Sequence, residues 1–417
     1  MKSADKATQI KCAVAVVGGG TAGLALAAEL KRQNVGDVIV LEREAEAGGI
    51  PRHCGHYPFG VREYGQLLKG PAYAAKNVTA ALKADVDIRT ETTVTELHPG
   101  GRLSIVDSVG HAELQAHRVV LCTGVREGSR AQRFIGGDRP LGVMTTGALQ
   151  NMVYLQGLRP FSRPVIFGSE LVSFSAIDTC RHLNIRPVAM VEENERIFAR
   201  RIIRPYLTLL GVPLFQGVQQ LCIMGGKNVE ALEFIDASDV KQHIETDGII
   251  ISGRFRPEAA LLRTSHLEVD PGSGGPVIDQ FGQCTDPSYY SAGNLLRPAE
   301  TSGWCWNEGI ETAKRIAEDL NGRPYSNNGT ATLSIADSAI QFALPQRLAL
   351  TDRPNGMNKI QIGLQSPVRG QLQAKLAGTC IWSGRINGRP MRRIQMPLSQ
   401  LLTNKPGSNI HLTIQRS

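Results

Sequence analysis

The chain opens with alternating apolar runs and amphipathic stretches that predict a βαβ unit. Cys12–Val17 is an apolar run of strand length, and Leu24 to about Asn34 carries the spacing of apolar residues that is typical of a helix. Val38–Leu41 is a second short apolar run, and Glu42 ends it. This order of strand, helix and strand favours a parallel sheet of the Rossmann type.

A second unit of the same kind follows. Pro164–Gly168 predicts a strand, about Glu170 to His182 a helix, and Pro187–Glu192 another strand. The predicted fold class is therefore α/β with two Rossmann-like dinucleotide-binding domains.

Beyond Asn321 the pattern changes to short strands separated by turn residues, after a linker-like stretch at 324–330. Asn387-Gly388 is a dipeptide typical of hairpin turns. We therefore predict a small β-rich C-terminal domain at 331–417, with strands at Lys359–Leu364, Gly370–Leu376, Cys380–Ile386 and Ile410–Ile414.

Charge is distributed unevenly along the chain. Residues 331–417 hold 11 Lys/Arg and two Asp, whereas the first 330 residues hold 35 basic and 36 acidic residues. An acidic protein partner, a nucleic acid or an anionic membrane face would suit such a tail, and so would a simple solvated surface. We expect a second subunit or a second copy of the chain to bind there through Arg389, Arg392 and Arg393. Nucleic acid is disfavoured because no motif combines aromatic and basic residues.

Composition excludes several other classes. No apolar run approaches the roughly 20 residues that span a bilayer, and the polar start of the chain does not resemble a signal peptide. Eight cysteines lie singly without a CxxC pair, so we expect neither a metal site nor an iron–sulfur cluster. These features predict a cytoplasmic protein, with peripheral contact to a membrane left open.

The segment Gly18–Gly23 carries a GxGxxG motif in its required context, between a strand and a helix. Gly18 permits the tight turn, Gly20 lets the backbone approach a pyrophosphate, and Gly23 lets helix and strand pack closely. The helix N-terminus then stabilises phosphate charge, and Glu42 can accept hydroxyl groups of a ribose. The motif predicts a dinucleotide site.

The residues after Glu42 resemble the extended FAD fingerprint of two-domain flavoproteins. In that family the glycine pair that matches Gly48-Gly49 lies against the cofactor's phosphates, the strand that matches 92–95 touches adenine, and a late Gly-Asp reaches the ribityl chain; this chain has Asn294 at that position. The resemblance implies FAD as cofactor. The implied cofactor-binding residues are Gly18, Gly20, Thr21, Ala22, Gly23, Glu42, Arg43, Gly49, Ile50, Val94, Thr123, Gly124, Asn294, Leu295, Thr301 and Gly303.

A helix is predicted from about Gly303 to Leu320, with Thr301 and its neighbours as caps. In the resembled class the N-terminus of this helix points at the isoalloxazine and stabilises the anion of reduced flavin. Trp304 and Trp306 either flank that ring or are core aromatic residues.

The second unit has a degraded fingerprint, Gly168 to Ser173. Glu170 takes the position of the middle glycine, where a carboxylate adds bulk and repels a pyrophosphate. We therefore expect no NAD(P)H binding here, although Glu192 or Glu193 remains a candidate ribose acid.

The segment between Gly48 and Gly60 contains the candidate catalytic residues. Disulfide reductases need two thiols near the flavin, and this segment has Cys54 alone. Cys54 with His53 and His56 is either a thiolate–imidazole pair or part of a pocket wall. We name His56 and Cys54 as catalytic candidates, with His56 as base.

The runs 53–60, 68–73, 142–150 and 293–304 resemble a bacterial group of FAD-dependent dehydrogenase subunits, which includes flavin subunits of opine oxidase, proline or hydroxyproline dehydrogenase and hydrogen cyanide synthase, and glycerol-3-phosphate dehydrogenase-like proteins. This implies an FAD domain at 1–150, an inserted NAD(P)-type domain at 151–270 and a return segment at 271–325. It also implies oxidation of a small amine, imino acid or hydroxy substrate, with electrons passed to a partner subunit, quinone or other carrier. The alternative is an NAD(P)H-dependent flavin reductase that uses Cys54 as a single redox thiol.

Overall fold

A computed structural model describes residues 9–197, 204–298, 300–322, 328–351, 356–402 and 406–416. Its helices are α1 (Thr21–Arg32), α2 (Val61–Tyr64), α3 (Gly70–Lys83), α4 (Thr146–Tyr154), α5 (Leu171–His182), α6 (Arg204–Leu209), α7 (Ala260–Arg263) and α8 (Ser302–Leu320). Its strands are β1 (Gln9–Val17), β2 (Val38–Leu41), β3 (Asp87–Arg89), β4 (Thr93–His98), β5 (Arg102–Val106), β6 (His111–Leu121), β7 (Val125–Arg126), β8 (Gly136–Gly137), β9 (Val143–Thr145), β10 (Pro164–Phe167), β11 (Ala189–Glu192), β12 (Leu214–Gln216), β13 (Gln219–Met224), β14 (Ala231–Ile235), β15 (Lys241–Glu245), β16 (Gly248–Ile251), β17 (Arg256–Pro257), β18 (Tyr289–Ser291), β19 (Thr330–Ile335), β20 (Ile340–Leu344), β21 (Arg347–Ala349), β22 (Lys359–Leu364), β23 (Val368–Leu376), β24 (Thr379–Gly388), β25 (Ile394–Pro397) and β26 (Asn409–Arg416).

The first sheet has seven strands in the order β3-β2-β1-β6-β5-β4, and β18 pairs with β6 as well. Strands β1, β2, β3, β6 and β18 run parallel. All residues of β2 and β18 and the last residues of β1 and β6 are buried, as the apolar runs predict, whereas β3 at the edge is partly exposed. Helix α8 packs closely on α1, because Gly309 has no side chain at the contact. A Cβ there would lie only 2.4 Å from the carbonyl oxygen of Ala22. Helix α8, almost 300 residues after α1, thus completes the helical layer that α1 begins on this sheet.

The second unit is also a parallel sheet, in the order β12-β11-β10-β16-β9, with α4 and α5 packed together against it. A further sheet, β15-β14-β13-β8, packs on its other side. The paired short strands β7 and β17 lie where the chain enters and leaves this unit. The predicted α/β fold class is confirmed.

The C-terminal segment forms two sheets, of five strands (β21-β19-β26-β23-β24) and three strands (β20-β22-β25), around one apolar core. The turn predicted at Asn387-Gly388 is wrong, because both residues lie within β24. The β23–β24 hairpin instead turns at Ala377 and Gly378, whose φ angles of 47° and 83° suit a primed turn.

This C-terminal segment is attached to the flavoprotein-like part by several contacts. The side chain of Gln280 donates to the carbonyl of Ala349 at 2.6 Å and accepts from its amide at 2.8 Å. Arg393, which the sequence predicts to face a partner, makes an ion pair with Glu300 of its own chain. Arg389 and Arg392 are exposed. Among the described helices none is long and apolar enough to cross a membrane.

Candidate functional site

A cavity of about 620 Å³ opens at the carboxyl ends of β1, β2 and β6. This edge of an open parallel sheet is the usual position of a bound nucleotide. Predicted site residues that line the cavity are Gly18, Gly20, Thr21, Ala22, Glu42, Arg43, Gly49, Ile50, Cys54, Val94, Thr123, Gly124 and Asn294. The fold therefore brings together residues that are spread over most of the first 300 positions.

Other predicted site residues lie outside the lining. Gly23 packs against the backbone of Gly18, Leu295 is fully buried, and Gly303 faces the side chains of Arg62 and Glu63. Thr301 is the N-cap of α8, as predicted, but its side chain makes no capping hydrogen bond. His56, the predicted base, also lies outside the lining, and its Nδ1 is 2.9 Å from the carbonyl oxygen of Tyr57.

The glycine motif builds a turn that only glycines permit. Gly18 has φ of +109°, and a Cβ there would lie 2.5 Å from the carbonyl oxygen of Cys122. A Cβ on Gly23 would lie 2.1 Å from the carbonyl oxygen of Gly18. Gly20 differs, because the nearest atom to its Cβ would be the Cα of Gly49 at 3.9 Å. The backbones of Gly20 and Gly49 lie against each other, since a Cβ on Gly49 would lie 2.8 Å from the Cα of Gly20, and both residues line the cavity at the N-terminus of α1, which suits a pyrophosphate.

Glu42 is fixed by the loops around it. Its carboxylate is buried and accepts from the amides of Gly19 at 2.9 Å and Glu44 at 3.0 Å. The amide of Thr92 donates to the Glu42 carbonyl at 2.9 Å, which joins the adenine-side strand to the same position. A carboxylate has lone pairs left after two hydrogen bonds, so Glu42 can still accept ribose hydroxyls.

Asn294 closes the loop that leads into α8. Its side-chain amide donates to the carbonyl of Glu300 at 3.2 Å, and its side-chain oxygen accepts from the Glu300 amide at 2.7 Å. An amide makes both bonds at once, which an ionised aspartate cannot do because it has no donor. Asn294 thereby holds Glu300 against the cavity, whose lining includes Glu300, Ser302 and Cys305.

Sequence reasoning missed several residues that line the cavity. They come from loops and from α4, α7 and α8, where no local motif marks them, and they include Glu44, Phe59, Asn151, Leu155, Phe255, Glu258, Ala260, Leu261, Glu300, Ser302 and Cys305. Only the pattern of helix caps at 300–302 gave a signal. Trp304, predicted near the flavin ring or in the core, does not line the cavity, and the guanidinium groups of Arg62 and Arg393 are each 4.4 Å from its ring centre.

Cys54 lines the cavity as a buried, protonated thiol. Its Sγ lies 3.4 Å from the carbonyl oxygen of Ile50 and 3.6 Å from Oε1 of Gln150, and burial raises its pKa to about 12. All eight cysteines of the chain are free. Since neither histidine is among the hydrogen-bond partners of Cys54 in the described residues, the predicted thiolate–imidazole pair is not formed.

His53 is the histidine that lines the cavity. Burial lowers its pKa below the ordinary value, although a hydrogen bond with the backbone of Gly147 opposes this shift. Its Nδ1 is buried without a hydrogen-bond partner among the described residues. At neutral pH the imidazole is therefore neutral and able to accept a proton.

The degraded fingerprint of the second unit is occupied by its own side chains. Glu170 is the N-cap of α5, and its Oε1 accepts from the amide of Arg254 at 2.7 Å. A Cβ on Gly253 would lie 2.4 Å from the Glu170 carboxyl carbon, so this carboxylate occupies the space next to the backbone of Gly253. Burial raises the pKa of Glu170.

The two candidate ribose acids of this unit are also engaged. Glu192 accepts from the hydroxyl of Ser169, and its Oε1 accepts from the Asn194 amide at 2.9 Å. Glu193 pairs with Arg254 at 2.6 Å and with the buried Arg133 at 3.4 Å. Glu192 is therefore fully buried with three donors, counting the side-chain amide of Asn194, and the carboxylate of Glu193 is shared by two arginines.

Comparison with known proteins gives both family and fold relatives. A family model described as "Pyridine nucleotide-disulphide oxidoreductase" matches residues 12–315. The chain is 24% identical over 267 residues to one of the subunits of opine oxidase from Rhizobium meliloti (strain 1021), covering 62% of this chain and 56% of that protein. It is 30% identical over 161 residues to hydrogen cyanide synthase subunit HcnB of Pseudomonas aeruginosa, covering 37% and 32%. The chain thus spans about half or less of the length of these curated relatives.

Solved structures share the fold at low identity. Thioredoxin reductase of T. acidophilum superposes with a TM-score of 0.62 at 20% identity, covering 75% of this chain and 99% of that one. L-Proline dehydrogenase from P. horikoshii gives 0.57 at 18% identity, covering 75% and 56%. Together with the curated matches, they confirm the predicted resemblance to two-domain flavoproteins and flavin subunits.

Proposed function

Because this chain belongs to the pyridine nucleotide-disulphide oxidoreductase family and is an FAD-dependent oxidoreductase, we propose that it is a dehydrogenase that oxidises a small amine, imino acid or hydroxy compound. The bond broken is a C–H bond next to nitrogen or oxygen, and a base on the protein takes the accompanying proton. FAD, when bound, supplies the acceptor for the hydride.

The cavity residues suit FAD as its cofactor. The part of the cavity lined by Gly20 and Gly49 at the N-terminus of α1 would hold the pyrophosphate. Glu42 would accept from the ribose, and Val94 would lie against the adenine. These residues bind and orient the cofactor; the reacting groups must come from the other end of the cavity.

His53 is the observation that carries the proposal. A buried polar atom without a partner is rare in folded proteins, and Nδ1 of His53, a residue that lines the cavity, is such an atom. A substrate hydroxyl or amine would supply the missing hydrogen bond. Because the imidazole is uncharged at neutral pH, it would then take the proton as the C–H bond breaks. We therefore assign the role of base to His53 in place of His56.

Thiol chemistry is not favoured at this cavity. A nucleophilic or redox cysteine acts as a thiolate, which requires a pKa near or below neutral. The pKa of Cys54 is raised to about 12 by burial, and no second cysteine is bonded to it. We propose that Cys54 is a structural residue that fixes the loop carrying His53, through its contacts with Ile50 and Gln150.

We further propose that electrons leave to a protein partner, a quinone or another carrier, and not to NAD(P)+. The buried Glu170 carboxylate, in the position of the middle fingerprint glycine, and the bonded Glu192 and Glu193 support this choice. Both curated relatives described above carry "subunit" in their names. Arg389 and Arg392 remain our proposed contacts with a second subunit or a second copy of the chain.

The proposal is tested with a panel of amino acids, opines, imino acids and polyols, each supplied with an artificial dye as electron acceptor. Once a substrate is found, His53→Gln should lower kcat by roughly 10²–10⁴-fold, as loss of a general base does, without loss of bound FAD. His56→Gln is the matched control in the same loop and should retain most of the activity.

Two results would contradict the assignment. Full activity of His53→Gln together with inactive His56→Gln would return the base to His56. Reduction of the flavin by NADH or NADPH, with none by any compound of the panel, would favour a reductase instead.

A further inference from the structure

Glu300 places a carboxylate at the wall of the flavin cavity, just before α8. Its backbone is held by both ends of the Asn294 amide, and its side chain is only 14% exposed. The loop therefore cannot easily turn this carboxylate away to water. A fixed negative charge beside a cofactor with an anionic pyrophosphate is unfavourable unless a cation offsets it.

The offsetting cation comes from the C-terminal segment. Nε of Arg393 donates to Oε1 of Glu300 at 2.9 Å, and a second nitrogen contacts Oε2, so the pair is bidentate. The same guanidinium stacks on Trp304 of α8 at 4.4 Å, and the guanidinium of Arg62 lies at the same distance from the centre of that ring. Arg393 is thus held in place on two sides.

The other charges nearby are already matched. Arg297 is fully buried and binds Glu308 through two nitrogens, one of them at 3.2 Å. Gln361 of β22 contacts the same Glu308 at 3.5 Å. Arg297 is hydrogen-bonded to Glu308 and approaches Glu300 only to 4.0 Å, so among the described residues Arg393 is the cation that makes direct hydrogen bonds to the Glu300 carboxylate.

We propose that Arg393 is a positioning residue of the flavin site, through which the C-terminal segment controls FAD affinity and the flavin reduction potential. Docking of this segment neutralises Glu300. Its loss leaves an extra negative charge at the cavity, which repels the pyrophosphate and disfavours the anion of reduced flavin. This inference rests on the FAD site and not on the proposed substrate, so failure of the substrate panel leaves it standing.

The experiment uses the full-length chain, with FAD titrated into the apoprotein and the potential measured on the reconstituted protein. Arg393→Gln should raise the FAD dissociation constant by roughly tenfold or more and lower the reduction potential. Removing the carboxylate as well, in the Glu300→Gln/Arg393→Gln double variant, should restore FAD affinity to within about threefold of wild type. Arg385→Gln, at an exposed arginine of the same C-terminal segment that is outside the proposed partner contacts, is the matched control and should change neither quantity.

A merely structural anchor would behave differently. Arg393→Lys keeps the charge but loses the bidentate pair, so it should keep FAD affinity even if its unfolding temperature falls. A double variant that binds FAD as weakly as Arg393→Gln, or an Arg393→Gln protein with wild-type affinity and potential, overturns the proposal. If Arg393→Gln does not fold, Glu300→Gln decides: its flavin potential should rise, and an unchanged potential overturns the proposal.

Discussion

Substitution of Gly20 should weaken cofactor binding without preventing folding, so it tests the two effects separately. The Gly20 backbone angles of −84° and −169° are accessible to any residue, and a new Cβ would meet its nearest neighbour, the Cα of Gly49, at 3.9 Å. Gly20→Ala should therefore fold, with a cost of about 0.5–1 kcal/mol for a poorer N-cap. The methyl group nevertheless occupies the cavity where the pyrophosphate would approach the helix. We expect the FAD dissociation constant to rise at least roughly tenfold, or 1.4 kcal/mol.

Gly23, in the same motif, should show the opposite behaviour. A Cβ there would lie 2.1 Å from the carbonyl oxygen of Gly18 and 3.2 Å from Cγ1 of Val16, so α1 must shift away from β1. Overpacking of this kind costs about 3 kcal/mol, which corresponds to a fall of roughly 10 °C in Tm. Gly36→Ala, whose Cβ would lie 3.7 Å from Ala13, is the control and should change neither property.

The assays are FAD titration of the apoprotein, identification of the flavin released on denaturation, and thermal unfolding followed by circular dichroism. Gly20→Glu adds a negative charge to the added bulk and should give colourless protein. The reasoning would be refuted if Gly20→Ala bound FAD like wild type, or if its Tm fell as far as that of Gly23→Ala. Release of FMN alone from wild type would refute the role of the whole motif.

Other outcomes follow from the same geometry. NADH and NADPH at micromolar concentration should leave the wild-type flavin oxidised, and Glu170→Gly should improve their binding only in part; rapid bleaching of wild type would contradict this. Iodoacetamide at mild alkaline pH should alkylate the exposed Cys380 in the folded protein and spare Cys54, whose pKa is about 12; peptide mass spectrometry checks this, and early labelling of Cys54 would show a reactive thiol. Because burial lowers the pKa of His53 below 6.5, the acid limb of kcat/KM should lie below that pH, with activity lost as the imidazole gains a proton. A limb well above 6.5 would point to another base.

Much of the nucleotide site was predictable because its determinants are local. Gly18 and Gly23 are constrained by contacts within one strand–turn–helix unit, and Glu42 closes that unit after the second strand. The apolar runs of β1, β2 and β10 are similarly local, since strands buried on both faces need apolar residues throughout. The fold class, the FAD cofactor and the degraded second fingerprint all follow from such short segments.

Strand pairing and the paths of loops could not be predicted in this way, because contacts with residues distant in sequence determine them. Asn387-Gly388 has the composition of a turn, but pairing with β23 over its whole length keeps both residues inside β24. Which of His53 and His56 reaches the cavity depends on the path of an irregular loop, and no periodicity marks it. His53 lies in a short 3₁₀-helix that enters the cavity wall, whereas His56 lies beyond its end.

The clearest example is Arg393. By sequence it belongs to a basic cluster with Arg389 and Arg392, and an exposed cluster is the simplest interpretation of such a run. In the folded chain it meets Glu300, 93 positions earlier, and stacks on Trp304. The sequence therefore determined which nucleotide site exists and which residues build its phosphate turn. Only tertiary packing, which joins two distant segments across a desolvated ion pair, decided that the C-terminal segment contacts the wall of that site.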